Sequence, residues 1–284
     1  MTDPTMNDRH TVTTHATPGE LRLRLYLPAG RIEITTWDEP TTDVQVEPLD
    51  GGAAAAEFAA SVRQQLRERG GGGHELLVET PSRKGILGFR REPGLRFTIT
   101  APHGAHVEAE TASADIDCRG RLGSVDVKTA SGDVSVEEAS GDVTVKSVSG
   151  DVDLTRAGGR ARVNTVSGGV QIGSVTGEAV LNLVSGDVRI GDAGSSVSVK
   201  SVSGDVELEA VRRGEVRLQS VSGDLTIAVV RGSRLWMDVS SLSGETSSDL
   251  DVSDGRSAGE VDLQVRATST SGDIQLLRSQ KASA

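Results

Sequence analysis

Six aspartates recur along this 284-residue chain at a near-constant step: Asp115, Asp133, Asp151, Asp187, Asp205 and Asp224, with Gly169 filling the one vacant place in the series. If the chain coils once per step, the carboxylates form a row, and neighbours that close repel unless something engages them. Calcium between coils is one answer, because it takes carboxylate oxygens at about 2.3–2.6 Å; Asp133, Asp151, Asp187, Asp205 and Asp224 are the candidate ligands. The other answer is turn chemistry, in which each Asp accepts bonds from Ser hydroxyls and backbone N–H groups. The calcium-binding solenoid pattern G-G-x-G-x-D is richer in glycine than S-G-D, so turn chemistry is the favoured reading.

A second constellation lies at residues 81–94, PSRKGILGFRREPG. Arg83, Lys84, Arg90 and Arg91 surround Ile86, Leu87 and Phe89, a basic and apolar cluster in an acidic chain. It is the candidate partner-binding segment, for a protein surface or an anionic membrane. Three apolar residues are too few for firm membrane anchoring, so an ordinary β-hairpin loop whose apolar residues fold back onto the helix is the favoured reading.

Other reactive side chains lack the company that chemistry requires. His103 and His106 flank a turn after Pro102 with no third ligand nearby, and a solvent-facing loop is expected. Cys118 is the one cysteine, which excludes an intrachain disulfide and a cysteine zinc site. No G-x-S-x-G elbow is present to hold a nucleophilic serine. No catalytic residue and no cofactor are expected.

The formal charge of −11 disfavours nucleic acid, whose binding rests on cationic phosphate contacts. The first twenty residues carry no charged-then-apolar signal pattern, and no 18-residue apolar run occurs anywhere. The expectation is a cytoplasmic chain without a transmembrane segment, capable of peripheral envelope association. Only six residues are aromatic, so small β-branched side chains must fill the core, as suits thin spaces between closely packed sheets.

The elements that would position these residues come from an internal repeat. S-G-D-V or a near relative begins at Ser113, Ser131, Ser140, Ser149, Ser167, Ser185, Ser203, Ser222, Ser243 and Ser271. The unit is nine residues, used in pairs. Within one unit Val143 and Val145 face one way while Thr144 and Lys146 face the other, the period-2 signature of a half-buried strand. Val148, Val166, Val184, Val202 and Val221 close their units and are expected to tuck into the corner. Such a chain buries its Val faces only by coiling, so it predicts an all-β, two-sided β-solenoid (β-helix-like) with about 18 residues per coil and ~4.8 Å between coils. The later spacings of 19, 21 and 28 predict loops or a terminal cap.

The SGDV repeats, the LPAGRIEI turn and the RFTITAPHGAHVEAETASADI passage resemble the bacterial β-strand-repeat family labelled putative adhesin, a domain of unknown function. The resemblance spans roughly residues 15–275. It implies a β-solenoid and no catalytic residue.

Residues 1–14 read as a disordered tail, 15–110 as an N-terminal β section, 111–275 as the repeat solenoid and 276–284 as a C-terminal tail. Within the N-terminal section, Phe58, Val62 and Leu66 stand four apart, and the spacing predicts one amphipathic capping helix over 53–69, stopped by Gly70. The segment around Pro28-Ala29-Gly30 reads as a hairpin or the opening coil. The whole predicts a non-enzymatic scaffold or interaction protein that presents repetitive polar faces to a protein or cell-envelope partner, with self-association through the solenoid ends. The alternative is a carbohydrate-binding or carbohydrate-active β-helix, adhesin-like or lyase-like, which should show a row of exposed aromatic rings or an acidic cleft.

Overall fold

A computed structural model of the chain describes residues 12–81, 93–232, 234–250 and 262–280. The strands β1 (Val12–Ala16), β2 (Leu21–Trp37) and β3 (Thr41–Pro48) precede a short helix, α1 (Ala53–Ala60). β4 (Arg63–Arg69), β5 (Gly73–Glu79), β6 (Leu95–Pro102) and β7 (His106–Leu122) follow. The repeats then supply β8 (Val125–Lys128), β9 (Val134–Ala139), β10 (Val143–Lys146), β11 (Val152–Ala157), β12 (Ala161–Ser167), β13 (Val170–Val175), β14 (Ala179–Ser185), β15 (Val188–Ala193), β16 (Val197–Lys200) and β17 (Val206–Val211). The chain ends in β18 (Gly214–Ser222), β19 (Leu225–Val229), β20 (Leu235–Ser243), β21 (Thr246–Ser248), β22 (Leu263–Ser271) and β23 (Ile274–Arg278).

The fold is an all-β, two-sided solenoid. β8, β10, β12, β14, β16 and β18 stack in parallel as one sheet, while β9, β11, β13, β15, β17 and β19 stack as the other. Val143 lies opposite Ala161, and Val152 opposite Val170, each pair eighteen residues apart. Alternate residues of both sheets turn inward to one core of Val, Leu, Ile and Ala, which includes Val145, Leu154, Val163 and Ile172. The period-2 pattern therefore specifies which side chains are buried and which face solvent.

β2 is a whole coil in one strand. Its inward residues Leu21, Leu23, Leu25 and Leu27 give way to Ile32 and Ile34 after a bend at Pro28-Ala29-Gly30. The first part pairs with β5, the second with β6, and both with β7. This is the opening coil and not a hairpin. Gly30 sits at φ +130, and a Cβ there would lie 1.8 Å from the Leu95 carbonyl oxygen, so only glycine permits this approach.

Three sequence expectations for the N-terminal section are corrected. The helix covers Ala53–Ala60 only, burying Ala55 and Phe58, and Arg63–Arg69 is an edge strand antiparallel to β5. Pairing of Leu66 with Leu76 and Gln64 with Val78 supplies sheet hydrogen bonds along the whole segment, which outweigh a helical spacing of four. Its charged, mostly exposed side chains suit a sheet edge. The turn into β5 then takes Gly70 and the positive-φ Gly71 and Gly72. Finally, β1 begins inside the expected tail and pairs antiparallel with β3, which itself pairs antiparallel with β6. Antiparallel strands, with α1 packed on β3, thus close this end of the parallel stack.

At the other end, chain order and spatial order part company. β22 lies between β18 and β20, and β23 between β19 and β21. The chain leaves one coil's width empty when it forms β20 and β21, then returns to fill it. The outermost strands are consequently β20 and β21, and most of their residues are exposed. The 28-residue step from Ser243 to Ser271 is the sequence trace of this exchange. Coil structure also continues to Arg278, beyond residue 275.

Candidate functional site

The aspartate row forms as its spacing predicts, and its geometry is that of a turn device. Asp133 Oδ1 accepts the Asp151 backbone N–H at 2.9 Å, Asp151 Oδ1 the Gly169 N–H at 2.8 Å, and Asp187 Oδ1 the Asp205 N–H at 2.9 Å. Asp205 Oδ1 accepts from Asp224 at 2.8 Å, and Asp224 Oδ1 from Asp273 at 2.8 Å. Each carboxylate therefore holds the corner of the next coil, and the bond to a charged acceptor offsets some of the repulsion along the row. Asp142 does the same at the opposite edge, accepting the Arg160 N–H at 2.8 Å. Among the described residues no group of three or more His, Cys, Asp or Glu is placed to hold a metal ion.

The glycine of the same corner is fixed by its neighbour. Gly186 sits at φ +133, and a Cβ on it would meet the Gly168 carbonyl oxygen of the preceding coil at 2.2 Å. Both the backbone conformation and the coil spacing demand glycine.

The valines that close the units do not tuck inward. Val148, Val166, Val184, Val202 and Val221 are between 48% and 55% exposed and form an apolar ridge along the Ser-Gly-Asp edge. The reason is the residue before each. Ser147, Thr165, Ser201 and Ser220 are buried, and each hydroxyl donates to the carbonyl two residues on, at 3.0–3.2 Å. These small side chains fill the corner, so the next residue must face out. Leu183 takes the same inward place in its coil. Between the ridge and the sheet runs a shallow groove, with Lys146, Asn164, Asn182 and Lys200 on one side and Val166, Val184 and Val202 on the other.

The two faces differ in charge, a feature the sequence reading missed. On the sheet of β8 to β18, Lys128, Lys146, Asn164, Asn182 and Lys200 occupy one register column. Arg162, Arg217 and Arg266 stand in the adjacent column. The acids in these two columns lie towards their ends, Glu108, Glu110 and Asp126 at one and Asp238 at the other, and Glu215 on the same sheet pairs with Arg217 at 2.6 Å and Arg266 at 2.8 Å. Lys146, Arg162 and Lys200 have no ion-pair partner among the described residues. The opposite sheet carries Glu137, Glu138, Asp153, Asp192, Glu207 and Glu209 beside the aspartate row. Its arginines are already engaged: Arg156 with Glu138 at 3.0 Å and Arg189 with Glu207 at 2.6 Å. Lysine at the fourth place of VDVK, VTVK and VSVK was the available signal.

His103 and His106 are half-buried rather than solvent-facing. His103 Nδ1 lies 2.7 Å from Thr36 Oγ1, and His106 Nδ1 accepts the Ser124 N–H at 3.0 Å, tying both rings to neighbouring coils. Cys118 is fully enclosed, and burial, with Asp117 beside it, pushes its thiol up to about 12, which leaves it inert as a nucleophile at neutral pH. Arg83, Lys84, Ile86, Leu87, Phe89, Arg90 and Arg91, the candidate partner-binding residues, lie outside the described residues. No described helix is long and apolar enough to cross a membrane.

Parallel coils, hydrogen-bonded corners and an uninterrupted apolar core define a two-sided β-solenoid. The chain belongs to the Toastrack DUF4097 family, whose pattern matches residues 30–277. No curated protein matches the sequence. Among solved structures, the chain is similar to one described as a putative adhesin from Bacteroides fragilis, with 14% identity over 94% of this chain and 96% of that one, and a TM-score of 0.44. It is similar also to one from Parabacteroides distasonis bearing the same description, with 12% identity over 93% and 96%, and a TM-score of 0.45.

Proposed function

We propose that the solenoid is a non-enzymatic scaffold that presents its repetitive faces to a protein or cell-envelope partner. The observation that carries this reading is the exposed Val148–Val221 ridge with its neighbouring groove, where equivalent side chains recur coil after coil. Single contacts of this kind are weak, but a partner laid along the stack gains from their number. The engaged state of the aspartate row and the inert Cys118 support a role without catalysis. Against the carbohydrate alternative, the exposed aromatic ring among the described residues is Trp236, a single ring beneath Arg266 and not a row. The segment 81–94 is the second docking candidate.

Cross-linked co-purification from the native cells tests this. The wild type should retain a partner that the Val166→Ser, Val184→Ser, Val202→Ser variant loses; exposed valines tolerate serine, so the fold is kept. Loss confined to Ile86→Ser, Phe89→Ser, Arg90→Glu would move the site to residues 81–94. No partner from any form would overturn the reading.

A further inference from the structure

We infer that a second copy of this chain is a partner, its acidic face stacked on the basic face of the first with the coils in register. This goes beyond the scaffold reading, which leaves the partner unspecified. The charge segregation argues for it first: Lys146, Arg162 and Lys200 stand exposed on one sheet without ion-pair partners among the described residues, in a chain whose net charge is −11. The complementary surface is present on every copy, as Asp153 and Glu207 with the aspartate row on the other sheet.

Chain direction then sets the alignment. Lys146 leads into the Ser149-Gly150-Asp151 corner and Asp153 follows it, so the lysine column and the acidic column flank the same edge. Two copies laid face to face with those edges on the same side bring the lysine column of one opposite the acidic column of the next. Both columns rise by one coil of ~4.8 Å at each step, so Lys146 meets Asp153 and Lys200 meets Glu207 three coils further on, with Asn164 and Asn182 opposite Gln171 and Arg189 between them. Each exposed pair is worth at most about 1 kcal/mol, so these pairs hold the interface only together with the aspartate row beside them. The overall repulsion between two negative molecules is screened beyond about 8 Å at physiological ionic strength, whereas the facing columns meet at closer range. Because the two surfaces differ, the contact is heterologous and does not close on itself, so assemblies lengthen with concentration.

Sedimentation velocity of the purified full chain at rising concentration, near 0.15 M salt, tests the inference. The wild-type sedimentation coefficient should climb with concentration. Lys146→Glu, Lys200→Glu, which spoils only the basic face, should stay monomeric, as should Asp153→Lys, Glu207→Lys, which spoils only the acidic face. An equimolar mixture of the two variants keeps one intact face of each kind and should recover association at least tenfold over either alone. A wild type that remains monomeric, a variant that associates unaided, or a mixture that does not recover would overturn the inference. The valine ridge is untouched in these variants and no cell extract is used, so failure here is separable from failure of the scaffold reading.

Discussion

Val152→Asp abolishes or severely weakens folding while its neighbour Asp153→Lys leaves the protein close to wild type. Val152 is 3% exposed and packs in the core shared by the two sheets. A carboxylate placed there meets no cation, and an uncompensated buried charge costs about 3–5 kcal/mol. In a domain of this size that lowers Tm by roughly 10 °C or more. Asp153 points to solvent from the next position, opposite Ser135 and Gln171, and the expected change is within about 0.5 kcal/mol. Thermal unfolding followed by circular dichroism compares the two. Equal loss of Tm would refute the register on which every assignment of inner and outer residues depends.

Deleting residues 149–166 gives a shorter but folded protein, whereas deleting residues 149–157 gives one that does not fold. The eighteen-residue deletion joins Val148 to Ser167. β10 then meets β14 in place of β12, and β9 meets β13 in place of β11, with Val, Ala and Leu still inward. Asp133 would find the Gly169 N–H that Asp151 now holds. Only one coil's share of the nearest-neighbour stabilisation is lost. The nine-residue deletion joins Val148 to Gly158 and sends every later strand to the opposite sheet. Ser-Gly-Asp corners would then stack on Gly158-Gly159 corners, where neither the glycine approach nor the carboxylate acceptor matches. Soluble yield and the cooperativity of urea unfolding distinguish the outcomes; a nine-residue deletion that folds as well as the eighteen-residue one would contradict the paired unit.

The parts of this architecture that repeat locally were legible in the sequence. Alternating Val and polar residues specify the strands, and Ser-Gly-Asp specifies the bend, because each rests on neighbours a few residues away. What depended on distant pairing was not legible. RQQLRER has helical spacing to its left and a strand partner only in β5, so nothing within the segment decided for a strand. The interruption before Ser271 was visible, yet the insertion of β22 between β18 and β20 is a choice between two strands of the same pattern. The outward Val148 followed from a buried Ser147 hydroxyl, a detail that alternation alone does not reveal at a corner. The aspartate row was legible as a row, and its chemistry became clear only with the acceptor geometry of Asp133 and Asp151 in view.

The most direct measurement of the central claim, a parallel stack whose corners rise one coil at a time, is pulsed electron resonance between spin labels on the exposed ridge. With Cys118 replaced by serine, labels at Val148 and Val202, at Val148 and Val221, and at Val148 and Thr270 lie three, four and five coils apart by the observed pairing. At ~4.8 Å per coil the separations should increase in even steps, near 14, 19 and 24 Å. The third pair is decisive, because Thr270 is 49 residues beyond Val221 in the chain but one coil away in the stack. A Val148–Thr270 distance two coils or more beyond that of Val148–Val221, or no regular increment at all, would contradict the account.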